Sequence, residues 1–109
     1  MKNLKRADVV WVNLDPTVGA EIRKRRPCVI VSLSVLNEQR LAVVIVPLSS
    51  SSTPRPPLVV AVPSAGADSN ARIDQIRAVD KSRVVGVIGK LSSADMEATA
   101  QGLRTVLGC

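Results

Sequence analysis

The sequence contains no histidine, no tyrosine and no phenylalanine, and only one tryptophan. Without histidine, Ser-His-Asp and Cys-His hydrolases are excluded, and any general base must be a carboxylate or a perturbed lysine or cysteine. Rows of stacked aromatic side chains, with which many proteins hold single-stranded nucleic acid, are excluded as well. Recognition of a nucleic acid would therefore depend on arginine planes, backbone groups and phosphate contacts.

Several other kinds of site are also missing from the sequence. The two cysteines, Cys28 and Cys109, are too few for a disulfide framework and lack the paired spacing of a metal site. No glycine-rich loop precedes a Lys-Ser or Lys-Thr pair, so a phosphate-cradling nucleotide site is unsupported. The longest apolar run, residues 41–46, is too short to span a membrane. We expect no metal, no cofactor, no membrane association and a cytoplasmic location.

The remaining composition describes a small, basic, aliphatic domain. The chain has 109 residues, of which 46% are hydrophobic, and this length suits a single domain over residues 1–109 with one core. The formal net charge is +6. Such a charge favours a polyanionic partner, with nucleic acid as the first candidate.

Hydrophobic periodicity predicts several short strands followed by one helix. The predicted strands cover residues 8–15, 28–33, 41–48, 58–62, 71–77 and 83–91, with a helical turn at 34–40 and a polar loop at 49–57. In the first strand Val10, Val12 and Leu14 form a buried face. From Ser92 onward a 4-3-4 stripe predicts an amphipathic helix with Ser92 as its cap; the stripe consists of Met96, Ala100, Leu103 and Leu107. The predicted architecture is a small, strongly bent sheet or partly open barrel covered by a helix.

Two charged clusters are candidates for a functional site. Four consecutive cations, residues 23–26, stand immediately before Pro27 and an uncharged strand. Farther on, Arg72 and Asp74 lie two positions apart, so in a strand both would point to one face. The alternatives are a solvated basic loop for the first cluster and a weak surface salt bridge for the second.

Four motifs follow one another along the chain: "DVVWVNLDPTVGAE" at 8–21, Arg26-Pro27 five residues after Glu21, "VPLSS" at 46–50 and "DQIRAVDKSR" at 74–83. In this order they resemble the motifs of the MazF/PemK (Kid) toxins of bacterial type II toxin–antitoxin modules. The resemblance extends over residues 6–108. It implies a mainly β fold with α, namely the SH3-like small barrel of the CcdB/Kid type with a C-terminal helix.

The resemblance also implies an activity and partners. Such toxins are homodimers that cut single-stranded RNA at short sequences without a metal. The 2′-hydroxyl of the RNA attacks the adjacent phosphate, which leaves a 2′,3′-cyclic phosphate and a 5′-hydroxyl. A cognate antitoxin inhibits them by placing an acidic, otherwise disordered C-terminal tail in the RNA groove, and operator DNA is bound only through the antitoxin.

Residue by residue, the resemblance implies a candidate site. Arg26 matches the family's catalytic arginine, Ser49 matches its threonine, and Arg72 and Asp74 match the arginine and aspartate that the PemK/Kid branch uses as acid and base. Apart from the resemblance, Glu21 beside the four cations is a competing candidate for the base. The neighbouring residues expected to bind RNA are Arg23, Lys24, Arg25, Ser50, Gln75 and Arg77. One branch of the family also uses a histidine in the early loop, which this chain lacks. Because the metal-free reaction builds negative charge on phosphorus, we expect Arg26 and Arg72 to supply most of the rate.

Two other readings of the sequence remain open at this point. CcdB-type toxins use the same barrel to poison DNA gyrase, but they depend on a Trp-Gly-Ile end, whereas this chain ends in "VLGC". A non-catalytic RNA-binding barrel is the second alternative. In a pure binder, Arg72→Ala and Asp74→Ala would change affinity only.

Overall fold

A computed structural model describes residues 3–14 and 25–109 of the chain. The elements are β1 (Asp8–Asn13), β2 (Arg25–Ile30), α1 (Ser34–Gln39), β3 (Ala42–Ser49), β4 (Val59–Ala61), β5 (Asn70–Arg72), β6 (Arg77–Asp80), β7 (Val84–Lys90) and α2 (Ser93–Leu107). Three short 3-10 turns lie between them, at Pro63–Ala65, Ile73–Gln75 and Lys81–Arg83. The predicted class, mainly β with a C-terminal helix, is confirmed. Among the described residues, no helix has the length and apolar character needed to cross a membrane.

The strands form one strongly bent antiparallel sheet. Its order is β4-β5-β3-β2-β1-β7, and β6 pairs with β3 outside this path. The first half of β3 pairs with β6 and its last two residues pair with β5, so β3 turns from one part of the sheet to the other. Register shifts between β1 and β7 add to the curvature, as bulges do in bent sheets.

The sheet has a buried core on each of its faces. The helix-side core lies under α2 and includes Val9, Val29, Val46, Leu48, Ile73 and Met96. The second core lies on the opposite face and includes Val10, Val12, Cys28, Ile30, Val43 and Ile45. The prediction that Val10, Val12 and Leu14 are buried is confirmed, but Val9 on the other face is buried too. β1 is central in the sheet, between β2 and β7, and its second face is buried only in part: Val9 belongs to the same core as Met96, whereas Trp11 is 42% exposed.

Helix α2 confirms its predicted start and departs from prediction at its end. The Ser92 side chain accepts a hydrogen bond from the Asp95 amide at 3.1 Å, which is the expected N-terminal cap. Met96 and Ala100 are buried, whereas Leu107 in the last turn is 56% exposed, so the predicted apolar stripe ends too late. Gly102 brings the helix backbone close to Ile73 and Val60. The helix thus packs directly on the turn that precedes β6.

The segment 71–77 is not the single strand that its alternating pattern predicts. β5 ends at Arg72, and Ile73–Gln75 forms a 3-10 turn that the Ile76 amide closes by donating to the Ile73 carbonyl at 3.2 Å. Ala71 and Ile73 are fully buried, as predicted. The prediction that Arg72 and Asp74 share one strand face was wrong, because the chain turns between them.

Candidate functional site

A cleft of about 460 Å³ opens where β2 begins and β3 ends. These two ends are adjacent because the strands are antiparallel, with Cys28 opposite Pro47. β2 starts three residues earlier than predicted, so the last two cations of the basic run, Arg25 and Arg26, pair with β1 opposite Asn13 and Val12. The residues that line the cleft are Trp11, Arg25, Arg26, Pro27, Leu48, Ser49, Ser50, Ser51 and Ser69.

Arg26 stands at the exposed end of a face whose interior is buried. Side chains alternate along a strand, so Arg26 shares its face with Cys28, which is fully buried. Arg77 of β6 is paired with Ile45 of β3, and Ile45 belongs to the second core, as Cys28 does. Arg26 and Arg77 therefore lie on the same face of the sheet as Cys28, and the charges of both act on its thiol.

The pKa of the Cys28 thiol depends on its burial and on two nearby positive charges. Its Sγ donates to the Arg26 carbonyl oxygen at 3.6 Å. Burial raises the pKa of Cys28 to about 12, and the charges of Arg26 and Arg77 oppose that shift only in part. The thiol is protonated at neutral pH and is therefore a structural group, since the thiolate is the nucleophilic form.

Ser49 lies at the centre of a network of hydroxyl groups. We call residues Ser49–Ser52 the serine loop. The Ser49 hydroxyl accepts hydrogen bonds from the Ser51 amide and from the Ser52 hydroxyl, both at 3.2 Å, and lies 3.1 Å from the Ser51 hydroxyl. Ser49 is only 8% exposed, so its position is fixed by its surroundings, and it is one of the residues that line the cleft.

Arg72 borders a second depression, which is also lined by Ser52, the last residue of the serine loop. This depression measures about 480 Å³ and is lined by Ser52, Thr53, Pro54, Arg55, Val59 and Arg72. The Arg72 Nη1 donates to the Ser52 hydroxyl at 3.4 Å, while its buried Nε has no hydrogen-bond partner among the described residues. Arg72 is thus connected to Ser49 through Ser52, and the cleft that contains Arg26 does not include Arg72 among its lining residues.

The backbone of the serine loop is also held in place by a side chain of β5. Asn70 is 4% exposed, and its side-chain amide donates to the Ser52 carbonyl at 2.7 Å and to the Asp68 carbonyl at 3.2 Å. Asn70 lies opposite Ser49 in the β3–β5 pairing. Two residues of β5, Asn70 and Arg72, therefore hold the loop that carries Ser49.

The other residues predicted for the site fall into two groups. Asp74 and Gln75 are exposed on the 3-10 turn and Arg77 is exposed at the start of β6; none of the three lines the cleft or the second depression. The Asp74 carboxylate makes no hydrogen bond or ion pair with the rest of the described chain. Glu21, Arg23 and Lys24 lie outside the described residues. The roles predicted for all six stay predictions.

Several residues that build this site are not among those predicted from the sequence, chiefly Trp11, Ser52 and Asn70. Trp11 is the only aromatic residue and is 42% exposed, opposite Pro27 on the wall of the cleft. The sequence indicates that Trp11 is exposed, since it stands between Val10 and Val12, at a position where the alternation predicts an outward-facing residue. Asn70 also had a sequence signal, because it immediately precedes the predicted strand 71–77 and lies two residues before Arg72. Ser52 had none, because a serine-rich run is typical of a surface connection.

Comparison with known proteins gives consistent results for family and fold. Residues 5–107 match the model of the PemK-like, MazF-like toxin of type II toxin–antitoxin systems. The Mycobacterium tuberculosis H37Rv proteins endoribonuclease MazF6 and endoribonuclease MazF9 are 29% and 27% identical over 110 residues, covering 95% and 93% of this chain and 96% and 93% of those proteins.

Solved structures share the fold over nearly the whole chain. A mycobacterial endoribonuclease in complex with its cognate antitoxin superposes with a TM-score of 0.78 at 27% identity, covering 99% of this chain and 96% of that one. MazF from Deinococcus radiodurans superposes with a TM-score of 0.81 at 23% identity, covering 98% of both chains. The family match and the shared architecture agree with the four motifs. The chain belongs to the PemK-like, MazF-like family of toxins from type II toxin–antitoxin systems.

Proposed function

We propose that this chain is an endoribonuclease that cleaves single-stranded RNA at specific short sequences in the cleft between β2 and β3, without a metal ion. The observation that carries the proposal is the presence of Arg26 and Ser49 in one cleft, at adjacent strand ends. A guanidinium can donate two parallel hydrogen bonds to a phosphate, and a fixed hydroxyl can donate a third. The endoribonuclease names of the relatives support the same activity.

The reaction would proceed by attack of the RNA on itself. The 2′-oxygen forms a bond to the adjacent phosphorus while the bond from phosphorus to the 5′-oxygen breaks. A base takes the 2′-hydroxyl proton, and the leaving 5′-oxygen receives a proton. The products are a 2′,3′-cyclic phosphate and a 5′-hydroxyl. Negative charge grows on the phosphoryl oxygens during the step, and Arg26 and Ser49 would stabilise it by donating to those oxygens.

Within this scheme the arginines contribute charge stabilisation and the carboxylates contribute orientation or modest basicity. Arginine stays protonated in proteins, so Arg72 is better suited to electrostatic stabilisation than to proton transfer. Asp74 and Glu21 are the two candidates for the base. Asp74 is exposed and free to contact an RNA strand that lies across the 3-10 turn.

The surface charge also fits the proposed macromolecular partners. Arg25, Arg26, Arg55 and Arg77 are all exposed near the two depressions or on the neighbouring strand β6. An RNA backbone or the acidic C-terminal tail of a cognate antitoxin would find complementary charge there. Competition between the two would explain inhibition, with operator DNA bound through the antitoxin. The site of action would be the cytoplasm, where mRNA is translated.

We further propose that the chain works as a homodimer. Strand β7 exposes three large aliphatic side chains, Val85, Val87 and Ile88, with exposed fractions of 42%, 51% and 49%. Among the described residues, β7 pairs with β1 alone, so its outer edge has no partner strand. A second copy of the chain would cover this apolar edge.

Incubation of the purified protein with a long mixed-sequence RNA and with DNA of the same sequence, in EDTA, tests the function. We expect cuts in the RNA only, at recurrent short sequences, with cyclic-phosphate and 5′-hydroxyl ends. Tight binding of intact RNA would favour the non-catalytic barrel instead. Cleavage that appears only after a divalent metal is restored would contradict the metal-free mechanism.

A further inference from the structure

The hydrogen bonds between Arg72, Ser52 and Ser49 run in one direction, from the Arg72 guanidinium through the Ser52 hydroxyl to the Ser49 hydroxyl. A guanidinium has donors and no acceptor, so the Ser52 hydroxyl must accept from Arg72 Nη1 across the 3.4 Å contact. The proton of the Ser52 hydroxyl is then directed to the Ser49 hydroxyl, 3.2 Å away. Arg72 thus polarises the Ser52 hydroxyl, and this hydroxyl donates to Ser49, which lines the cleft that contains Arg26.

The hydrogen-bond partners of Ser49 likewise determine whether its hydroxyl donates or accepts. A serine oxygen has two acceptor lone pairs, and those of Ser49 are used by the Ser52 hydroxyl and the Ser51 amide. Ser49 is therefore left with its own proton to donate. The Ser51 hydroxyl, 3.1 Å away, is a neutral group that can accept it. An anionic phosphoryl oxygen in the cleft would be a stronger one, since charge-assisted hydrogen bonds are roughly twice as strong.

Ser52 is held in place from three sides, as a relay requires. Its carbonyl accepts from the buried Asn70 amide at 2.7 Å, its hydroxyl accepts from Arg72, and the same hydroxyl donates to Ser49. Hydrogen bonds linked in this manner polarise one another, so a cation at one end strengthens the donor at the other. Without the Ser52 hydroxyl, Ser49 regains a free lone pair and can turn its oxygen toward the phosphate.

We propose that Ser52 is a positioning residue for RNA cleavage: it orients Ser49 as a hydrogen-bond donor to the reacting phosphate and carries the influence of Arg72 to it. This inference rests on the proposed function, because it concerns the same cleft. It also gives Arg72 an effect on the reaction that does not need direct contact between Arg72 and the phosphate.

Single-turnover cleavage of one RNA substrate tests the relay, with Ser52→Ala, Ser52→Thr, Ser49→Ala and the double variant Ser49→Ala/Ser52→Ala. Ser93→Ala on the exposed first turn of α2 is the matched control. We expect Ser52→Ala to lower the maximal rate about tenfold with less than a twofold change in the enzyme concentration that gives half of that rate, because a misdirected donor weakens transition-state stabilisation more than binding. Ser52→Thr keeps the hydroxyl and should restore at least half of the wild-type rate.

The double variant distinguishes a relay from an independent effect. If Ser52 acts through Ser49, removing Ser52 from a chain that already lacks the Ser49 hydroxyl should change the rate by less than about twofold. A full tenfold loss in that background, or a Ser52→Ala rate equal to that of Ser93→Ala, would overturn the inference while leaving the proposed function intact. A wild-type protein that cuts no RNA would overturn the proposed function and this inference with it.

Discussion

Asn70 lies opposite Ser49 in the β3–β5 pairing, and its side-chain amide reaches past Ser49 to donate a 2.7 Å hydrogen bond to the Ser52 carbonyl. The amide is buried, so the contact is shielded from water. It joins the strand that ends in Arg72 to the loop that presents Ser49. The candidate site is therefore held by contacts between segments about 20 residues apart in the chain.

Replacement of Asn70 tests how strongly this contact holds the loop. Asn70→Ala leaves the Ser52 carbonyl without its donor and opens a small polar cavity. We expect a loss of about 1–3 kcal/mol in the free energy of unfolding, measured by urea denaturation. RNA cleavage should fall as well, because the serine loop loses its anchor. Unchanged stability together with unchanged cleavage would show that the loop is positioned by other contacts.

Arg25 should act on RNA affinity rather than on the chemical step. It is exposed at the mouth of the cleft, beside Arg26. Each phosphate contact to a single strand adds about 0.7 to the slope of log affinity against log salt concentration. We expect Arg25→Ala to reduce that slope by about 0.7 for an uncleavable 2′-deoxy analogue. Arg40→Ala, which removes an exposed arginine next to α1, should leave the slope unchanged.

Asp74 is predicted to contribute less than Arg26. Its carboxylate is exposed and makes no hydrogen bond or ion pair within the described part of the chain, so Asp74→Asn should leave the melting temperature unchanged. As a modest base or an orienting group, it should cost about 10- to 100-fold in cleavage rate when replaced. If Asp74→Asn abolishes cutting while Arg26→Ala costs less than about tenfold, the order of importance is the reverse.

The buried Cys28 thiol makes stability depend on pH in the alkaline range. Its pKa is raised from 9.0 to about 12 in the folded chain, so above pH 9 the unfolded chain binds fewer protons than the folded one. The contribution of Cys28 to the free energy of unfolding should therefore be fully present below pH 9. It should fall as pH rises toward 12, by at most about 1.4 kcal/mol per pH unit. The difference between wild type and Cys28→Ala, measured from pH 8 to 11, isolates the effect.

A wild-type protein whose stability falls no more steeply than that of Cys28→Ala would contradict the raised pKa. Thiol labelling gives an independent check. Cys109 is exposed and should react at pH 8, while Cys28 should react only after denaturation.

The sequence predicted the elements with strong periodicity and missed those set by distant contacts. The stripe beginning at Met96 identified α2, and alternation identified β1. Ile73 and Ile76 are both inward, which fits an alternating strand poorly but fits a 3-10 turn with its three-residue period. That signal was present and was outweighed by the alternating charges around it.

The order of the serine loop could not be predicted from its own residues. Ser-rich segments are usually flexible connections, and the contacts that fix this one come from Asn70 and Arg72, which are 18 and 20 residues away from Ser52. The early start of β2 was missed for a similar reason. Arg25 and Arg26 belong to a run of cations that lacks the apolar residues typical of a strand. Their extended conformation depends on pairing with Asn13 and Val12 of β1.

The single-turnover cleavage rate of Arg26→Ala, compared with wild type and with Arg40→Ala in EDTA, tests whether Arg26 stabilises the reacting phosphate in the cleft. The loss of one preorganised donor typically costs about 100- to 1000-fold, and Arg26 is exposed, so we expect a loss of that size without a change in melting temperature. Arg40→Ala should cut RNA within about twofold of wild type. Equal rates for Arg26→Ala and Arg40→Ala would show that the cleft between β2 and β3 is not where RNA is cleaved.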